Sequence, residues 1–161
     1  MPEENTPSKQ IDEHNLLIRA TTLDDLERIY TIEAMSFTDA YPKSLLWQLL
    51  QDKTAICLIA EVSHKIVGFG IGIMRSSTRG HIISIAIDPE YRNLTFGSQL
   101  VSQLISALKG NGALLLELEV RISNVIAQKL YKKFNFQIKE IKQRYYSNGE
   151  DAYLMVCHLD N

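Results

Sequence analysis

The chain has 161 residues, 45% hydrophobic and 22% charged, with a formal net charge of −2. That is enough for one domain with its own core, and without a basic field nucleic acid is not expected as a direct partner. No apolar run has the length of a membrane span, and the opening residues MPEENTPSKQIDEHN carry no signal-like apolar stretch, so a cytoplasmic protein with no membrane partner is expected.

Residues 1–14 are polar, contain two prolines and lack periodicity, which predicts a disordered tail ahead of a single domain over 15–161. Leu16 to Ala20 reads as a short strand. Thr21-Thr22-Leu23-Asp24-Asp25 offers a cap and early acids for a helix over 23–35 that continues through Leu26, Ile29, Tyr30 and Glu33. The loop from Ser36 to Pro42 carries Phe37 and Tyr41, aromatics that either plug the core or line a cleft. A second helix follows over 43–51, then strands over 55–62 and 66–74 joined by the hairpin residues Ser63-His64-Lys65. Gly68, Gly70 and Gly72 alternate in the second of these strands, so something is expected to lie flat against that face.

The stretch from Arg79 to Gln103 organises the rest. Both alternating faces of His81 to Ile87 are largely apolar, as in a central strand covered on both sides, and Pro89 should end its pairing. From Thr95, Leu100, Val101, Leu104, Ile105 and Leu108 recur at helical spacing until Lys109-Gly110-Asn111-Gly112. A helix that starts where a buried strand stops presents free N–H groups to an anion. Arg92 adds positive charge there, and Gly97 allows close backbone approach, although the same residues also suit plain packing. Downstream come a Leu-rich strand over 113–120, a helix capped by Ser123 or Asn124 and reaching about Asn135, and two strands around Asn148-Gly149, a hairpin signal. The order β-α-α-β-β-β-α-β-α-β-β predicts a mixed α/β fold, a sheet of about seven strands with helices on both faces.

Arg92-Asn93-Leu94-Thr95-Phe96-Gly97 resembles the Arg/Gln-x-x-Gly-x-Gly/Ala signature of the GNAT N-acetyltransferase superfamily. The resemblance implies that the backbone from Arg92 to Ser98 holds the pyrophosphate of acetyl-CoA, and that Ile85, Ala86 and Ile87 border the cofactor. Thr95 departs from the signature. A β-branched residue tolerates positive φ poorly, so either the loop differs locally or the hydroxyl takes up a cap or phosphate contact.

Glu117 and Glu119 share a face of the Leu-rich strand, and a carboxylate there must be paired, wet or functional. Glu119 lies at the strand end, where open sheets place their clefts. Desolvation would raise its pKa toward that of a useful base, whereas the alternative is a salt bridge to Arg121, Arg92 or a lysine. Tyr131 flanks the stripe of Ile126, Leu130 and Phe134, a position that suits the core as well as catalysis. Cys57 and Cys157 stand alone in apolar runs and are expected as buried thiols; His14, His64, His81 and His158 lack metal-ligand spacing and read as structural or exposed, so no metal is expected.

The segments Leu118-Glu119-Val120-Arg121-Ile122-Ser123-Asn124 and Leu130-Tyr131 are similar to the LEVRxSN and LY segments of RimI-type protein N-terminal acetyltransferases. Tyr145-Tyr146 through Gly149-Glu150-Asp151-Ala152-Tyr153 resembles the YYxxGEDAY segment of catalytic subunits that acetylate nascent chains, and Gly80-His81-Ile82 their GHI strand. The resemblance implies Glu119 as base for the substrate amine, Tyr131 as acid for the departing CoA thiolate and a cofactor neighbour, and Asn124 as a cofactor contact. It places Phe37, Asp39, Tyr41, Tyr145 and Tyr146 along the peptide channel, with protein N-termini as substrates and a ribosome or auxiliary subunit as a further partner. The expected chemistry is direct attack on acetyl-CoA without an acyl-enzyme. Reference pKa values of about 8 for an α-amine and about 10.4 for lysine make the neutral nucleophile roughly a hundredfold more abundant for the former at neutral pH. The alternatives are acetylation of lysine or a small amine, a non-catalytic acyl-CoA-binding module, and a nucleotide-binding α/β module.

Overall fold

The computed structural model describes residues 15–159, so the tail expected over 1–14, with His14, lies outside the described residues. The strands are β1 (Leu16–Ala20), β2 (Ala55–Val62), β3 (Lys65–Met74), β4 (Arg79–Ile87), β5 (Leu115–Arg121), β6 (Gln137–Lys142) and β7 (Ala152–His158). The helices are α1 (Leu26–Ser36), α2 (Lys43–Gln51), α3 (Phe96–Gly110) and α4 (Val125–Lys133). One seven-stranded sheet has the order β1-β2-β3-β4-β5-β7-β6. All neighbours pair antiparallel except β4 and β5.

That parallel pair creates the site. Its register runs only from Arg79↔Leu115 to His81↔Glu117, after which the strands separate. Asp88 donates its N–H to Val67 O, so the N–H of Ala86 also faces β3, while those of Ile85 and Ile87 face the opening toward β5.

The two faces of the sheet carry different cores. Ile29, Ile32, Leu46 and Leu49 of α1 and α2 pack on Ile59, Phe69 and Ile71. On the opposite face Val101, Leu104 and Leu108 of α3 join Leu116, Leu118, Val120, Tyr131 and Phe136. Helix α3 is what lies against Gly70 and Gly72 of β3, whereas Gly68 faces Ile87 and Ala86 O of β4. A Cβ on Gly70 would stand 3.4 Å from Leu104 Cδ2, and one on Gly72 would stand 2.9 Å from Leu108 Cδ1.

The chain entry is held by a local network. Asp25 accepts from Thr22 N–H at 2.7 Å and from both terminal nitrogens of Arg19, at 2.9 and 3.0 Å. The β2–β3 hairpin turns on Ser63 and His64, both at positive φ, as a type I′ hairpin turn requires. The Asn-Gly pair behaves differently from the expected hairpin tip. Gly149 has φ 84° and donates to Tyr146 O, but β6 ends at Lys142 and β7 starts at Ala152. Side chains outside the hairpin claim its residues, Arg121 bonding Asn148 and Glu150, and Asp39 bonding Ser147, so the turn sits within a longer loop. Neither cysteine is in a disulfide; Cys157 is buried, and burial pushes the half-buried Cys57 thiol up to about 11.

Candidate active site

Two cavities open along the separation of β4 and β5. The larger, about 540 Å³, runs beside Ile85, Ala86, Ile87, Arg92, Asn93, Leu94, Gly97 and Ser98 on one side and Ile126, Lys129, Leu130 and Lys133 of α4 on the other. The smaller, about 150 Å³, is lined by Glu33, Phe37, Asp39, Tyr41, Ser84, Glu119, Arg121, Tyr145 and Tyr146 among others. Phe37, Ile85, Asn124, Ala127 and Tyr131 line both.

The larger cavity suits a long ligand with an anionic end. Gln99 N–H is the first in α3 to bond back, to Thr95 O, which leaves the N–H groups of Phe96, Gly97 and Ser98 outside the helix ladder. Arg92, Lys129 and Lys133 border the same space. A Cβ on Gly97 would meet nothing nearer than Leu130 Cδ2 at 3.7 Å, so glycine here leaves room on the cavity side rather than relieving a clash in the protein. Thr95 precedes α3 with φ −81° and accepts from Gln99 Nε2 at 2.8 Å; it makes no side-chain cap bond. The strained position is Asn93, at φ 63°. The loop therefore differs locally, and Thr95 escapes the positive φ it would resist. The Phe96 side chain is fully buried in a core cluster with Val67, and neither Thr95 nor Phe96 is among the residues that line the cavity. Arg92 donates to Ile87 O at 3.0 Å and to Ser36 Oγ at 3.3 Å.

In the smaller cavity Glu119 has a partner on each oxygen. His81 Nε2 lies 2.7 Å from Oε2, and Lys142 Nζ lies 2.7 Å from Oε1. Burial alone would push the carboxyl upward, but the His81 and Lys142 contacts outweigh it and hold the pKa at about 2. The expected upward shift is thus reversed, and the lysine of the ion-pair alternative is Lys142. Arg121 instead pairs with Asp39 and Glu150, and its guanidinium carbon lies 3.9 Å from the centre of the Tyr146 ring. Asp39 also accepts from Ser147, so the α1–α2 loop is tied to the β6–β7 loop across the cavity.

Tyr131 is buried, with its ring edge-on to Phe136 at 5.9 Å, and burial pushes its hydroxyl up to about 12. Asn124 caps α4 by accepting from Ala127 N–H at 3.1 Å. Phe37 and Tyr41 both pack on the core and line the cavity, so the two readings of that loop hold together. Tyr145 and Tyr146 meet edge to face at 5.0 Å.

Three residues enter the site that the sequence reading had not placed there. His81, read as structural or exposed, touches Glu119. Glu33 is 1% exposed and accepts from Ser84 Oγ at 2.8 Å and Tyr41 N–H at 3.2 Å, and its burial raises its pKa. Lys142 is the third. Glu33 falls four positions after Ile29 on the inward stripe of its helix, and a carboxylate on such a stripe is the signal that could have found it. His64 is in the β2–β3 turn and His158 is exposed, and no group of three or more potential metal ligands occurs among the described residues.

A sheet that opens between two parallel strands beside a helix N-terminus, with a second cavity meeting the first at a tyrosine, suits a transferase that brings a long anionic donor to a separate acceptor. Residues 26–136 match the acetyltransferase (GNAT) family, and the chain belongs to that family. It is 40% identical over 141 residues to a candidate ribosomal protein bS18-alanine N-acetyltransferase of Bacillus subtilis (strain 168), covering 86% of this chain and 92% of that one. It is 32% identical over 157 residues to an N-alpha-acetyltransferase of Sulfolobus acidocaldarius, covering 90% and 94%. Among solved structures, Ard1 from Thermoplasma volcanium superposes with a TM-score of 0.86 at 30% identity, covering 91% of this chain and 99% of that one.

Proposed function

We propose that this protein transfers the acetyl group of acetyl-CoA to the free α-amino group of protein N-termini, by direct attack in a ternary complex. The observation that carries the reading is the meeting of the two cavities at Phe37, Ile85, Asn124, Ala127 and Tyr131, with Glu119 in the acceptor branch. The relationship to an N-alpha-acetyltransferase supports the choice of acceptor.

Acetyl-CoA supplies an acetyl thioester. The N–H groups at the start of α3, with Arg92, Lys129 and Lys133, hold its phosphates, and the open edge of β4 receives its amide-bearing arm. Glu119 attracts the α-ammonium. At a pKa of about 2 it is a weak proton acceptor by itself, so in this reading it takes the proton with the help of His81, whose Nε2 lies 2.7 Å from Oε2. The Ile85 or Ile87 N–H, unpaired by β3, stabilises the oxyanion. Tyr131 remains protonated at neutral pH, as the acid for the leaving thiolate must. Phe37, Asp39, Tyr41, Tyr145 and Tyr146 border the path of the peptide. Protein N-termini become available at the ribosome, which makes the cytoplasm the expected site of action and a ribosomal or auxiliary partner a natural companion.

The test is mass spectrometry after incubation with acetyl-CoA and two peptides, one with a free N-terminus and no lysine, the other N-blocked with one lysine. Acetylation of the first alone is expected. Reaction of the second alone would move the acceptor to lysine and overturn the reading.

A further inference from the structure

Lys142 ends β6, the outermost strand on its side of the sheet. Its side chain is 35% exposed, whereas the Glu119 side chain it reaches is 9% exposed. With His81 on Oε2 and Lys142 on Oε1, both oxygens of this carboxylate are engaged by nitrogens. One of those nitrogens belongs to an ammonium, the same group that a protein N-terminus presents. Two ammonium ions cannot share one carboxylate oxygen in a partly buried cleft at no cost, so an incoming amine must displace the resident one.

The geometry lets Lys142 leave. Its head sits on a flexible four-carbon stem at the sheet edge, and in the ion pair Nζ already lies 5.4 Å from the Tyr145 ring centre, a contact it can keep on leaving the carboxylate. His81 is anchored differently. It lies on β4 in the middle of the sheet, its side chain is 16% exposed, and it holds Oε2, the oxygen that Lys142 does not touch. The opening for a substrate ammonium is therefore on the Oε1 side.

We propose that Lys142 is an internal competitor for the acceptor-amine site, holding Oε1 of Glu119 until the α-ammonium of the substrate takes its place. This rests on the N-terminal reading above. It makes Lys142 a specificity-setting residue: acceptors that carry a cation gain from Glu119 only what remains after Lys142 is displaced, so weakly held amines are filtered out.

The test is calorimetric titration of the CoA-loaded protein with a lysine-free peptide in two forms, free at the N-terminus and N-acetylated, using wild type, Lys142→Met and Lys142→Arg. The Lys142 side chain is 35% exposed, so water screens its end of the pair, and Lys142→Met should tighten the free-amine peptide by up to about fivefold and leave the acetylated peptide unchanged. Lys142→Arg should stay close to wild type. An unchanged or weaker free-amine affinity in Lys142→Met, or an equal gain for the acetylated peptide, would overturn the inference. Binding with the predicted gain but no acetylation of the same peptide by wild type with acetyl-CoA, read by mass spectrometry, would overturn the catalytic reading alone, and no binding of the free-amine peptide by any of the three proteins would overturn both.

Discussion

His81 Nε2 and Glu119 Oε2 are 2.7 Å apart, and their bond bridges β4 and β5 just past the last paired residues, His81 and Glu117. The ladder ends and a side-chain contact takes over, so the same feature that opens the sheet places a carboxylate in the opening. Glu119→Gln keeps the shape and removes the charge. General acid–base groups contribute about 10²–10⁴-fold, and kcat/KM is expected to fall within that range while CoA affinity stays at the wild-type level. A variant with unchanged kcat and a raised KM would restrict Glu119 to holding the amine. Steady-state kinetics beside a CoA titration separates the two.

Acid stability should report the same carboxyl. Its ordinary value is 4.5 and its folded value about 2, so the fold favours the ionised form. The resulting stability is present above 4.5 and is lost as the pH falls toward about 2. Asp25, lowered by its Arg19 contact, acts in the same sense. Urea midpoints measured from pH 5 to pH 2 should fall less steeply for Glu119→Gln than for wild type.

Glu33 carries the opposite sign. Burial raises its pKa, so the protonated form is favoured in the fold, and that contribution is present below its unfolded value and lost as the pH rises through the folded one. Glu33→Gln can still meet Ser84 and Tyr41 without a buried charge. Its Tm at pH 7 should rise by about 2–4 °C, the shift expected for about 1 kcal/mol in a domain of this size. A fall in Tm would show that the charge itself is needed to hold Tyr41 and the loop around it.

Tyr131→Phe leaves the ring against Phe136 and deletes the hydroxyl alone. If that hydroxyl protonates the thiolate, kcat should drop about 10²-fold with Tm nearly unchanged, in line with the usual contribution of a positioned acid. Equal kcat in variant and wild type would place the proton source elsewhere.

Much of this architecture was legible because it rests on local rules. The run from His81 to Ile87, the stop at Pro89 and the amphipathic pattern of α3 follow from periodicity, and the alternation of Gly68, Gly70 and Gly72 points to the close packing that α3 makes on the last two of them. The electrostatics of the cleft were not legible, because Glu119 meets residues 38 and 23 positions away and Glu33 meets Ser84 across 51. Lys142 lies in a strand where charged and apolar residues are mixed, and nothing local distinguishes it from a solvated lysine. Asn148-Gly149 does lie between two antiparallel strands, β6 and β7, but in the longer loop over 143–151, for a related reason. Its neighbours are claimed by Asp39 and Arg121, which propensity rules cannot see.

Two glycines that look alike in sequence should respond in opposite ways to a methyl group. A Cβ on Gly68 would stand 2.5 Å from Ile87 Cδ1 and 3.0 Å from Ala86 O, and the second of these is backbone that cannot turn aside. Gly68→Ala should therefore cost about 1–3 kcal/mol, the usual range for overpacking, and lower Tm. At Gly97 the nearest atom would be 3.7 Å away, and the residue lies in the first turn of a helix, where alanine is favoured by up to about 1 kcal/mol. Gly97→Ala should thus keep or raise Tm. Because Gly97 lines the larger cavity, the same methyl intrudes where the phosphate-bearing end of acetyl-CoA is proposed to lie, and CoA affinity should fall about tenfold, a loss of about 1.4 kcal/mol. Thermal melts and CoA titrations of both variants form one experiment. A Gly97→Ala protein that binds CoA as wild type does would remove this stretch from the proposed cofactor site, whatever happens at Gly68.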